Sequence, residues 1–121
     1  LRYLGYVPQA DVPAVLAAAS MLAYVSVYEG YGMPIAEAMA TGTPVVCSDR
    51  ASMPEVAQGT AILVDPDRVD SIAEGLSAAI EGLHKGSLKT TQARELAQSY
   101  TWAKSAQRLL ASLKAAAQEA S

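Results

Sequence analysis

Two carboxylates, Glu29 and Glu37, stand eight positions apart around the turn Gly30-Tyr31-Gly32-Met33-Pro34. Gly30 and Gly32 let the backbone turn sharply and approach a ligand with no Cβ in the way. Pro34 suits the first helical position, because its missing N–H would have been unpaired there. The free N–H groups of that first turn, with the helix dipole, favour an anion such as a phosphate. Glu29 before the turn and Glu37 one turn into the helix can then accept hydrogen bonds from ligand hydroxyls. A nucleotide-sugar satisfies both halves, with hydroxyls for the carboxylates and a diphosphate for the helix start. The spacing of the glutamates alone carries little, since two solvated carboxylates eight residues apart are commonplace. The residues around them carry more.

Strands and helices must alternate to place such a turn. Arg2-Tyr3-Leu4 reads as a short strand, followed by a helix that Asp11 caps, with Pro13 in its first turn and Val15, Leu16 and Ala19 as its apolar stripe. Leu22 to Tyr28 is almost uniformly apolar and β-prone, the composition of a strand covered on both faces. A short helix from about Pro34 to Ala40 leads to a strand over Thr43 to Cys47. Ser52 with Glu55 reads as a capping box opening another short helix, and Ala61 to Val64 as a further strand. Asp65-Pro66-Asp67 forms a turn with a helix cap. Beyond it Val69, Ile72, Leu76, Ile80 and Leu83 share one helical face. Two more helices are expected near residues 87–98 and 102–118, the last with Ala106, Leu109, Leu110 and Leu113 as its stripe. This alternation predicts an α/β fold with a Rossmann-like parallel sheet and flanking helices, in one domain over residues 1–121. In such sheets ligands bind beyond the carboxyl ends of the strands, where Glu29 to Met33 falls.

Composition removes other classes. The 121 residues carry a net charge of −3 without a lysine or arginine cluster, which argues against a nucleic-acid partner. Hydrophobic residues make up 51% of the chain, yet no apolar run approaches the ~20 residues a membrane-spanning helix needs. The single Cys47 excludes a disulfide framework or a cysteine zinc site and reads as a core residue. No secretory leader is visible, so a cytoplasmic location is expected, peripheral to a membrane in a longer parent. His84 reads as a surface residue at a helix end. Ser26 and Ser48 end strands near the turn and are placed within reach of a ligand. Of the six tyrosines, mostly assigned to strands, only Tyr31 is placed beside the site.

Glu29-Gly30-Tyr31-Gly32-Met33-Pro34, then Glu37-Ala38-Met39-Ala40 and Gly42-Thr43-Pro44-Val45-Val46, resembles the signature of the retaining glycosyltransferases of family 4, the glycosyl transferases group 1. The likeness extends over nearly the whole chain, through Leu4-Gly5-Tyr6-Val7, Asp49 to Val56, Ile62 to Pro66 and Tyr100-Thr101-Trp102. It implies part of the carboxyl-terminal domain of a GT-B enzyme, binding a nucleotide-diphosphate-sugar donor without a metal or other cofactor. In that likeness Glu29 lies near the donor-sugar hydroxyls and is the catalytic candidate. Glu37 contacts the ribose, and Tyr31, Gly32 and Met33 present backbone amides to sugar and diphosphate. Tyr31 replaces a common phenylalanine, and Met33 a common leucine.

The likeness also implies what lies elsewhere. The family's domain opens with two strand–helix units bearing the arginine and lysine that grip the diphosphate, and this chain begins after them. Arg2 and Arg50 stand in the wrong segments to replace those cations. The amino-terminal acceptor domain is a missing partner, so unaided catalysis is not expected. A first strand deprived of neighbours would pair elsewhere, pair with a second copy, or stay loosely held. Trp102 is expected to pack on the domain, with contact to the other domain as its second reading. Two other functions stay open: a non-catalytic α/β interaction module, and a related GT-B enzyme such as a nucleotide-sugar epimerase or phosphorylase.

Overall fold

The computed structural model describes residues 1–119. Its sheet has three parallel strands in sequence order, β1 (Leu22–Tyr24), β2 (Val45–Ser48) and β3 (Ile62–Val64). Leu22 stands opposite Val45, and Val46 opposite Ile62. Helix α1 (Val12–Ala18) precedes the sheet, α2 (Met33–Thr41) links β1 to β2, and α3 (Met53–Ala57) links β2 to β3. The chain closes with α4 (Val69–Lys85), α5 (Thr90–Gln98) and α6 (Trp102–Glu119). This is the Rossmann-like α/β class that the alternation predicts.

The central strand β2 is buried along its whole length, so its side chains build a core on each face. Val45 and Cys47 join Ile35, Ala38, Met39, Met53 and Val56 on the side of α2, α3 and α5. Val46 joins Val64 and Ala79 on the α4 side. Helix α4 approaches the sheet through small residues: Gly75, Ala79 and Gly82 are buried. A Cβ on Gly75 would stand 2.3 Å from Val64 Cγ1. Of the expected stripe of Val69, Ile72, Leu76, Ile80 and Leu83, only two residues face the sheet. Ile72 and Leu76 pack inward, whereas Val69, Ile80 and Leu83 are exposed.

Burial pushes the Cys47 thiol up to about 11. The nucleophile is the thiolate, so the folded chain should resist alkylation by iodoacetamide at mildly alkaline pH and label fully in concentrated guanidinium chloride. Labelling of the folded chain at the rate of a free thiol would contradict this burial.

Several expected elements differ. Residues 2–4 form no strand, and Tyr3 is 93% exposed. A strand exists only through its partners, and among the described residues no strand pairs with this segment. β1 ends at Tyr24, and the chain runs on irregularly with Val27 and Tyr28 exposed, so the strand covered on both faces is β2. Of the tyrosines only Tyr24 lies in a strand. Asp11 makes no side-chain cap on α1. Asp65-Pro66-Asp67 is the expected turn, closed by the Asp67 N–H donating to Asp65 Oδ1 at 3.0 Å. The cap position of α4 is Arg68, which forms no side-chain cap. Helix α6 buries no residue: Leu109, Leu110 and Leu113 are exposed, and Trp102 is 92% exposed rather than packed. Among the described residues no helix is long and apolar enough to cross a membrane.

Candidate functional site

Tyr24, the last residue of β1, sends its hydroxyl to Glu29 Oε1 at 2.6 Å, and the Ser26 hydroxyl donates to the same oxygen at 2.9 Å. The Tyr24 hydroxyl, and after it that of Ser26, hold the Glu29 carboxyl below the usual carboxylate range, against a smaller desolvation effect. Tyr24 is raised in turn, chiefly because it donates to Glu29. Both shifts describe one preference: a protonated phenol beside an ionised carboxylate.

The backbone after Glu29 is tied down from the next crossover. Ser52 Oγ lies 3.1 Å from Glu29 O and 2.9 Å from Tyr31 O, sharing its proton between the two carbonyls. The expected capping box is thereby corrected. Ser52 occupies the cap position of α3 but makes no side-chain cap, because its hydroxyl latches residues 29–31 instead.

Helix α2 then opens from Gly32, which is buried in the left-handed region with φ +92°. A side chain there is strained, and its Cβ would meet Ile35 Cδ1 at 3.3 Å. Gly30, by contrast, has a backbone any residue adopts and open space where a Cβ would stand. Met33 is the first helical residue and Pro34 the second, one position later than expected. Ile35 N–H bonds Gly32 O at 3.0 Å. Among the described residues, no protein acceptor meets the N–H groups of Gly30, Tyr31, Gly32 or Met33. The turn therefore presents consecutive free donors at a helix start, the arrangement that suits an anion.

Glu37 is half-buried and accepts from Gln9 Nε2 at 3.3 Å, a bond to the segment before α1. It lines an open groove of about 750 Å³ with Tyr31, Met33, Ala36, Tyr100 and Trp102. An adjoining cleft of about 350 Å³ has Gly30, Tyr31 and Ser52 on one wall and Tyr100, Lys104 and Arg108 on the other. Tyr31 lines both spaces. Glu29 lines neither and is joined to them through the Gly30–Tyr31 backbone.

Other candidates are displaced. Ser48 is fully buried, where no ligand reaches it, and its Oγ accepts from Arg50 N–H. Arg50 is engaged by Asp65 at 2.8 Å, Asp49 at 3.1 Å and Asp67 at 3.2 Å. These carboxylates, Asp49 first, raise its already high pKa. Arg50 is thus occupied at the carboxyl ends of β2 and β3. His84 sits exposed in the last turn of α4. Sequence reasoning missed Tyr24, which joins Tyr31 beside the turn, and also Gln9, Lys104 and Arg108. The one signal for Tyr24 was a hydroxyl five positions before Glu29, on the strand that delivers it.

Residues 1–82 match the family described as "Glycosyl transferases group 1". The chain belongs to that family. It is 40% identical over 102 residues to the O-antigen chain mannosyltransferase B of Escherichia coli, covering 84% of this chain and 27% of the relative. To a D-inositol 3-phosphate glycosyltransferase of Corynebacterium glutamicum it is 32% identical over 111 residues, covering 90% of this chain and 27% of that protein. An MMP alpha-(1->4)-mannosyltransferase of Mycolicibacterium hassiacum is 38% identical over 74 residues, 59% of this chain and 18% of the relative. The matches therefore span about a quarter or less of these relatives' length.

Proposed function

We propose that this chain supplies the donor-binding site of a retaining glycosyltransferase that moves a hexosyl group from a nucleotide-diphosphate-sugar to an acceptor. The observation that carries the reading is the tethered turn at residues 29–33. It joins an ionised carboxylate to free backbone donors at a helix start, both held in place by Tyr24, Ser26 and Ser52. In this reading Glu29 accepts from donor-sugar hydroxyls, Glu37 from ribose hydroxyls, and the amides of residues 30–33 face the diphosphate.

Preorganised N–H groups aimed at a leaving diphosphate stabilise charge as it develops, which is the role a metal plays in other enzymes. Lys104 and Arg108 share a cleft with Gly30 and Tyr31 and add positive charge beside the turn. Glu29 is the proposed catalytic residue by electrostatics, favouring the positive charge that grows on the sugar ring, and is not assigned as a nucleophile. Two of the relatives are mannosyltransferases, so a mannosyl donor is the first to test. Acceptor binding is assigned to a further, amino-terminal domain, and the reaction to the cytoplasm.

The full-length protein should give a product whose anomeric configuration, read by NMR, equals that of the donor sugar. An inverted product would overturn the retaining assignment.

A further inference from the structure

We propose that Tyr24 and Ser26 are positioning residues that fix one oxygen of Glu29, Oε1, and so leave the other, Oε2, as the acceptor offered to the sugar. The inference rests on the reading that Glu29 faces the donor. A carboxylate oxygen has two lone pairs, and the two hydroxyl donors on Oε1, at 2.6 and 2.9 Å, fill both. At 2.6 Å the tyrosine bond lies in the short range of charge-assisted O–H···O⁻ contacts. Among the described residues no donor is placed on Oε2.

The clamp is referred to the sheet rather than to the loop. Tyr24 pairs with Cys47 across β1 and β2, and its ring packs against the α2-side core. Ser26 follows two residues later, before the chain leaves toward Glu29. A glutamate on an irregular segment would otherwise sample several rotamers. Here the ordering entropy is met during folding rather than when the donor arrives. With Oε1 occupied, Glu29 recognises a hydroxyl through a single oxygen rather than gripping a vicinal pair with both.

The experiment is a double-mutant cycle on the full-length protein, following donor kcat, KM and the pH profile for Tyr24→Phe, Ser26→Ala, Glu29→Gln and the two pairwise combinations with Glu29→Gln. Phenylalanine keeps the ring packing, and a thermal melt of each variant checks the fold. Expected for Tyr24→Phe is a loss of kcat of roughly tenfold with little change in KM, since small misplacements of reacting groups carry such penalties. The acid limb of its profile moves to higher pH, because the carboxylate has lost a bond that favoured its ionised form. Ser26→Ala shifts both readouts in the same direction by less.

In the Glu29→Gln background Tyr24→Phe should add less than about twofold, because the group it positions has changed. Equal losses in both backgrounds, or an unmoved acid limb, overturn the positioning role while the donor-site reading stands. A fully active Glu29→Gln enzyme overturns the donor-site reading, and the positioning role with it.

Discussion

Replacing Glu29 by alanine in the full-length protein should lower kcat for sugar transfer by on the order of 10² to 10³, with the donor KM changed little. That size is typical for removing one preorganised group that meets charge as it develops. The kcat-specific pattern follows from the contact proposed for Glu29. Hydrogen bonds to donor hydroxyls that strengthen as the ring gains positive charge act in the transition state more than in the ground state. The carboxylate is already ionised and held by Tyr24 and Ser26, so it meets that charge without reorganising.

Glu37→Ala should separate from it. A carboxylate bonded to ribose hydroxyls helps ground and transition states alike, so its loss raises donor KM by roughly tenfold or more and leaves kcat near wild type. Steady-state kinetics on both variants checks the pair. Wild-type constants for both would remove these two residues from the site.

Ile35→Ala has the largest expected effect on stability. Ile35 is fully buried, packs beneath the turn with Met39 and Met53, and meets the backbone of Gly32, its cap residue. Deleting its outer methyl and methylene groups opens a cavity that the close-packed α2–β2 interface cannot fill, at a cost of about 2–5 kcal/mol. That is a large share of the ~5–15 kcal/mol that holds a domain together. Urea unfolding followed by circular dichroism measures it, and a midpoint unchanged from wild type would contradict this packing.

Legibility in the sequence divides along a physical line. The helix at Pro34 and the strand expected over Thr43 to Cys47, observed as Val45–Ser48, are readable because a local signal and the tertiary demand agree. A proline sits in the first turn of one, and a continuous apolar run is covered on both faces in the other. Gly32 was readable as a turn residue because only glycine takes its φ without strain.

Residues 2–4 and 25–28 also read as β-prone, but among the described residues no strand pairs with them, and strand propensity without a partner is empty. Ser52 and Glu55 had the spacing of a capping box. A hydroxyl bonds whichever carbonyl or amide the fold brings near, and that choice is invisible locally. Tyr24 was hidden for the same reason. Its bond to Glu29 depends on how the chain bends between Tyr24 and the turn, which no periodicity encodes. Trp102 and the leucines of α6 carry an amphipathic pattern, yet the described residues offer that face nothing to cover it.

The central claim is that residues 29–37 bind a nucleotide-sugar. Titrating the isotope-labelled chain with UDP, GDP and ADP and their sugar conjugates, while following its backbone amides, tests it most directly. The expected result is saturable shifts confined to residues 29–37 and the clefts around Tyr31, largest with one sugar conjugate and weaker with the matching free nucleotide. No shift in these amides with any conjugate at millimolar concentration would contradict the account.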